Sequence, residues 1–293
     1  MSVVTEPDTT ATIREASMQD ADDCGRIFFE AFAAIADRHG FPIEPGSPDF
    51  ANYKMASLLE SDGVFGIVAE RHGTIVASAF VDERGPIVGI GPVTVDPSAQ
   101  NTGVGTALMV DLLRRERARG AAGVRLVQTA YHSRSLAVYA KLGFTVREPL
   151  SVLQGNLPLT TRAGLEVRPA CDADVAACDA LCTQIHGHDR SRELSDAIAQ
   201  QTAVVAELDG RSVGYATGFG YGWHAVAQND DAMLAMLSSA QTFMGLGVLV
   251  PSRNAELLQW CLLHGLHIVQ QAHLMTLGLY NQPAGSWLPS IVY

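Results

Sequence analysis

The chain is poor in charge and poorer in positive charge. Only 17% of its 293 residues are charged, with 20 lysines and arginines against 31 aspartates and glutamates, a formal net charge of −11. That balance argues against a surface built to neutralise phosphates, so no nucleic-acid partner is expected. No run of 18 apolar residues is present, which excludes an ordinary membrane-spanning helix, and no membrane partner is expected. Residues 1–14 are polar and lack the apolar core of a signal peptide. The cysteines, Cys24, Cys171, Cys178, Cys182 and Cys261, are odd in number and lack paired Cys-x-x-Cys spacing. They read as reduced thiols of a cytoplasmic protein. Cys178, Cys182 and His186 recur every fourth residue, with His188 close behind. On a helix the three would spread over about 12 Å, too far for one ion, so no metal site is expected.

Apolar residues make up 47% of the chain, enough for one large core or two. Residues 1–10 form a polar tail, expected to be disordered, and 11–15 a short strand. Ser17 or Asp20 can cap a helix whose apolar face carries Ile27, Phe28, Ala31 and Phe32. Residues 39–49, rich in proline and glycine, make a loop before a helix over 50–59. Strands are expected at 64–69 and 74–81, joined by Arg71-His72-Gly73, and at 88–95, where Pro92 demands a bulge or an unpaired edge. A helix over 106–118 ends among Arg114, Arg115, Arg117 and Arg119, which suit its negative pole. A strand over 124–129 follows.

Between the third of these longer strands and that helix lies Val93-Thr94-Val95-Asp96-Pro97-Ser98-Ala99-Gln100-Asn101-Thr102-Gly103-Val104-Gly105. A strand, a polar turn with two glycines and a helix start leave a row of backbone N–H groups without partners, which favours an anion. Two cradles are excluded by what is missing. A dinucleotide fingerprint needs glycine where Leu108 stands, and a nucleoside triphosphate loop needs Lys-Ser/Thr where Thr106 and Ala107 follow Gly105. The remaining pattern, Gln-x-x-Gly-x-Gly after a strand, resembles the coenzyme A motif of the GNAT acyltransferases. A second stretch, His132-Ser133-Arg134-Ser135-Leu136-Ala137-Val138-Tyr139-Ala140-Lys141-Leu142-Gly143-Phe144, is similar to the second motif of that superfamily. Tyr139, Gly143 and Phe144 match it, whereas His132 and Ser135 stand in place of asparagine and alanine.

The resemblance implies an α/β (α+β) fold of mixed, mostly antiparallel sheet flanked by helices, with splayed parallel strands at the coenzyme site. It implies acetyl-CoA as cosubstrate and an amine acceptor that attacks the thioester directly in a ternary complex. The amides of Gln100, Asn101, Thr102, Gly103, Val104, Gly105 and Thr106 would hold the pyrophosphate. The main chain of Val93, Thr94 and Val95 would line the thioester arm, His132 would face the coenzyme, and Tyr139 would act as general acid. Glu83, at a strand end, is the candidate base, although acids in such turns are usually only solvated. The loop after the first helix would lie over the acceptor; Phe41 and Tyr53 line it or simply pack. Cys24 has no paired base, so no acyl-enzyme is expected.

Past Pro158 the pattern restarts. Val167-Arg168-Pro169-Ala170 with Asp174 matches Ile13-Arg14-Glu15-Ala16 with Asp20. Ala206-Glu207 with Gly210 matches Ala69-Glu70 with Gly73, and residues 254–266 match 132–144 with Gly265 on Gly143. No Gln-x-x-Gly-x-Gly recurs, and Cys261 replaces Tyr139. The expected organisation is a catalytic domain over 11–157 and a degenerate copy over 165–293, closed by a strand over 288–293. The acceptor is expected to be a small primary amine. A protein lysine or N-terminus, a non-catalytic acyl-CoA sensor, and association as a homodimer stay open.

Overall fold

The computed structural model describes residues 11–159, 164–240 and 242–291. The expected N-terminal tail and the last two residues of the expected closing strand lie outside them. Contacts divide the chain into two compact units, one ending at Glu83 and resuming at Val88–Ala121, the other comprising Arg84–Ile87 and the chain from Ala122 onward.

The first unit contains β1 (Thr12–Glu15), α1 (Ala21–His39), α2 (Pro48–Glu60), β2 (Val64–Arg71), β3 (Thr74–Asp82), most of β4 (Ile87–Val95) and α3 (Val104–Arg119). Its strands lie in the order β1-β2-β3-β4, and every pair is antiparallel. Cys24, Ile27 and Phe28 of α1 and Met55 of α2 pack on Val68, Ile75 and Phe80, all buried. Each large apolar side chain here contributes roughly 1.5–3 kcal/mol by leaving water. Local signals set the ends: Ser47 accepts from the Phe50 N–H, Pro48 opens α2, and Gly40 stops α1 at φ +70°. At Pro92 the ladder slips. Ala79 faces Val93 and Val81 faces Ile90, so two residues of β4 oppose one of β3, the bulge that a proline without an N–H requires.

The second unit contains β5 (Gly123–Thr129), α4 (Ser133–Lys141), β6 (Thr145–Gly155), β7 (Leu165–Pro169), α5 (Val175–His186), α6 (Ser191–Ala199) and β8 (Val204–Leu208). It continues through β9 (Arg211–Ala216), β10 (Ala225–Ala227), α7 (Asp230–Ser239), β11 (Val248–Pro251), α8 (Ala255–Leu263), β12 (Leu266–Gly278) and β13 (Ser286–Leu288). Its strands fall in two runs, β5-β12-β6-β11 and β13-β10-β9-β8-β7. The closing strand expected over 288–293 does not form among the described residues: β13 spans Ser286–Leu288 and ends where that strand was to begin, before Pro289, which has no N–H to donate.

The internal repeat pairs β6 with β12 and β5 with β11, and these four strands alternate between the copies. Residues 272–278 of β12 pair with β5, residues 266–276 of the same strand pair with β6, and β11 pairs with the far side of β6. Each copy has thus handed its last strand to the other, as in a domain swap closed within one chain. The compact units consequently do not follow the 157–165 connection. The repeat is visible in side chains too. Arg14 holds Asp20 at 2.8 Å and Glu70 at 3.2 Å; Arg168 holds Asp174 at 2.7 Å and Glu207 at 2.6 Å. The same register slip precedes Glu70 and Glu207.

Arg14 beside Asp20, aided by the Ser17 N–H and hydroxyl, holds that carboxyl down at about 2. A depressed carboxylate contributes stability that is present above its ordinary pKa and is lost as pH falls through the folded value. Asp20→Asn should therefore cost about 1–2 kcal/mol at pH 7, and the gap should close as pH falls from about 4 to 2. Urea unfolding at both ends of that window checks it.

Candidate functional site

The turn between β4 and α3 is built to leave amides open. Asp96 accepts from the Ser98 N–H at 2.9 Å and from its hydroxyl at 2.6 Å, which fixes a short 3-10 turn over Pro97–Ala99. Arg26 reaches the other Asp96 oxygen at 3.2 Å, so the carboxylate is neutralised within the loop. Asn101 (φ +66°) and Gly103 (φ +87°) then turn the chain through the left-handed region. α3 starts on Gly103 with no side-chain cap and no acidic residue in its first turn. The first bond closed there runs from the Ala107 N–H to the Gly103 carbonyl at 3.0 Å. The N–H groups of Gly103, Val104, Gly105 and Thr106 are therefore the four that helix geometry leaves without an intrahelical partner, at the positive pole. Gly105 sits close against β4: a Cβ there would lie 3.1 Å from Val95 Cγ2, so the valine side chain would have to give way. α3 begins two residues earlier than the apolar run suggested.

The second copy meets the same helix start differently. α7 is capped by Asn229, whose side chain accepts from the Ala232 N–H at 3.0 Å, and its first turn carries Asp230 and Asp231. Asn254 donates to Asp230 at 2.8 Å. A filled cap and two carboxylates repel an anion where α3 invites one.

The other candidates fall in several places. Gln100 donates to the Val95 carbonyl at 3.3 Å, within the turn. Val93 and Val95 are half-buried, while Thr94 turns its hydroxyl into the core to meet Ser78 at 2.8 Å, leaving only its main chain for a ligand. Tyr139 is half-buried on α4 with its ring 6.1 Å from Phe144, and among the described residues its hydroxyl makes no hydrogen bond. Burial pushes its phenol up to about 12. His132 opens α4, but its side chain does not cap the helix. Tyr53 lies on α2 and is 69% exposed, so of its two readings ordinary packing does not hold.

Glu83 is not a solvated turn acid. Its carboxylate receives Arg115 at 2.6 and 3.2 Å and Arg119 at 3.1 Å, and Arg115 also stacks 3.5 Å over the Phe65 ring. Burial pushes Glu83 up, but the two guanidinium groups and neighbouring Glu116 outweigh it and hold the group below its ordinary range. A carboxylate so held is a poor proton acceptor. Arg115 lies eleven residues beyond the start of α3, about 17 Å along the helix from the open amides. Cys178 and Cys182 sit fully buried in a cluster with Leu181, Ile185 and Tyr215. Among the described residues no three His, Cys, Asp or Glu side chains are grouped to hold a metal ion, and no helix is long and apolar enough to cross a membrane.

Residues 28–144 match the model of the acetyltransferase (GNAT) family. The chain carries a GNAT acetyltransferase domain. A mycothiol acetyltransferase from Amycolatopsis mediterranei is 30% identical over 139 residues, covering 44% of each chain, so the match spans less than half of that relative. A solved structure from Pyrococcus horikoshii shares the fold over 100% of this chain and 96% of its own, with TM-score 0.72 and 18% identity. A tandem GNAT protein from the clavulanic acid biosynthesis pathway does so over 96% of this chain and 99% of its own, with TM-score 0.57 and 14% identity. The GNAT match ends at Phe144, while the fold likeness runs on through the second copy.

One residue beside the open helix start escaped the sequence reading. Arg71, at the hairpin end of β2, donates to the Thr102 hydroxyl at 3.4 Å, and its Nε is buried without a hydrogen-bond partner among the described residues. A turn arginine gives no sequence signal, because only the folded hairpin carries it to residue 102.

Burial beside Glu83 pushes Glu116 up to about 7. A raised carboxyl pKa contributes stability that is complete below the unfolded value and lost as pH rises through the folded one. Glu116→Gln should remove this slope. Relative to it, the wild type should lose on the order of 2 kcal/mol between pH 4.5 and 8, read by denaturant midpoints.

Proposed function

We propose that the chain is an acetyl-CoA-dependent N-acetyltransferase with one coenzyme site, acting on a primary amine of small-molecule size. The observation that carries this reading is the uncapped, acid-free start of α3 set against the capped, acidic start of α7. The pyrophosphate would accept from the amides of residues 103–106, with Gln100, Asn101 and Thr102 shaping the approach and Arg71 adding positive charge. The main chain of residues 93–95, beyond the Pro92 bulge, would run beside the pantetheine arm. The net acidity of the chain suits a cationic amine and disfavours nucleic acid.

In the reaction the neutral amine attacks the thioester carbonyl, a tetrahedral oxyanion forms, and the C–S bond breaks. Nitrogen loses one proton and sulfur gains one. Tyr139, whose phenol is a weaker acid than the departing thiol, serves by a positioned hydrogen bond to the developing thiolate. An alkyl amine is free in only about one part in 10³ at neutral pH, so the rate should rise with pH until the amine itself is deprotonated. Glu83 is left out of the scheme, because its ion pairs keep it charged and occupied.

Two measurements test this. Calorimetry should find one coenzyme A per chain, with binding lost in Gly105→Val; two equivalents would overturn the single cradle. Thiol release across a panel of amines should give amine-dependent turnover, lowered about 10²-fold in Tyr139→Phe with coenzyme affinity retained. Tight binding without turnover on any amine would instead favour a sensor, and turnover only on peptides a protein acceptor.

A further inference from the structure

The first turn of α4 is held by Gln128, and Gln128 is in turn met by a residue of the second copy of the repeat. Gln128 on β5 is 2% exposed, and its amide nitrogen donates to the His132 carbonyl at 2.9 Å, to Ser135 Oγ at 3.1 Å and to the Thr129 carbonyl. Ser135 Oγ in turn donates to the same His132 carbonyl at 2.9 Å. Two carbonyl oxygens beside one end of an amide fix its orientation, because only the NH2 group can face them. The Gln128 Oε1 must then face the other way, where it lies 3.0 Å from Nδ1 of His273. Oε1 can only accept, so Nδ1 carries the hydrogen. His273 stands on β12, directly across the ladder from Gln128. It belongs to the strand that the second copy inserts between β5 and β6.

We infer that His273, a residue of the second copy, is a positioning residue for acetyl transfer: through Gln128 it fixes the start of α4 and with it His132 and Tyr139. The chain of contacts is short, since Tyr139 lies seven residues, two helical turns, after His132. His132 and Ser135 are the two places where the second motif departs from its family, and both are tied into this network. The retained second copy thereby has a role although it carries no coenzyme cradle of its own: without β12 there is no donor for Gln128. The inference rests on the proposed transferase activity.

The test compares His273→Leu with His273→Asn in the full-length protein, because an asparagine amide can present an N–H near the Nδ1 position. Removing the donor leaves a buried amide oxygen unsatisfied, so kcat/KM for acetyl-CoA should fall about tenfold in His273→Leu, with the KM for the amine unchanged. His273→Asn should recover most of the loss. Equal activity in His273→Leu and wild type would overturn the inference, as would equal losses in both variants. Should His273→Leu fold poorly, ¹⁵N-histidine spectra of the wild type at pH 8 decide: the Nδ1–H tautomer is expected for His273, and the Nε2–H tautomer would overturn the assignment. A wild type without turnover on any amine would count against the transferase reading itself, and the tautomer would still test the hydrogen-bond network on which the inference depends.

Discussion

Every α-helix begins with four N–H groups that its own backbone cannot satisfy, and the way this chain answers that requirement twice decides what its two halves can do. At α3 the answer is postponed. Gly103 supplies no side chain, the nearest carboxylate, Asp96, is engaged by Ser98 and Arg26, and the amides stay available at the positive pole. At α7 the answer comes from within, through Asn229 and two aspartates. An anion would be favoured by the first arrangement and disfavoured by the second. The two helix starts descend from the same pattern, so the difference lies in a handful of side chains and not in the fold.

The second constraint is the exchange of strands. β12 pairs along one edge with β5 and along the other with β6, and β6 in turn carries β11. A strand in the middle of a sheet satisfies its amides and carbonyls on both sides, and its removal would expose two edges at once. The second copy therefore cannot be shed by evolution or by truncation without opening the sheet on which α4 rests. The repeated pairs Arg14–Asp20 and Arg168–Asp174 show that both copies keep the ion pairs that shape their first turns, even where the coenzyme turn has gone. The ion pair is present in both copies, and the uncapped helix start in one.

The elements were well marked in the chain. Glycines, prolines and alternating apolar runs set β2, β3 and β4 within about two residues, and Pro92 announced its bulge. The cradle was equally plain, because a helix start without a cap is a local property of consecutive residues. Glu83 was not plain. In sequence it is one acid in a turn, and only the packing of β3 against α3 brings Arg115 and Arg119 onto it. Arg71 and Tyr53 were obscure for the same reason: neither the reach of a hairpin arginine nor the exposure of a tyrosine is written in its neighbours.

Order along the chain thus determined the uncapped helix start, the family resemblance and the repeat, since each is written in residues close in sequence. The tertiary structure alone decided which acids are already paired, which strand lies beside β5, and that a histidine near residue 270 supports a helix that begins near residue 133. Those facts depend on contacts between residues far apart in sequence, 32 positions for Glu83 and Arg115 and 145 for Gln128 and His273. No periodicity records such a bond, because the geometry that makes it exists only once β12 has entered the sheet between two strands of the other copy.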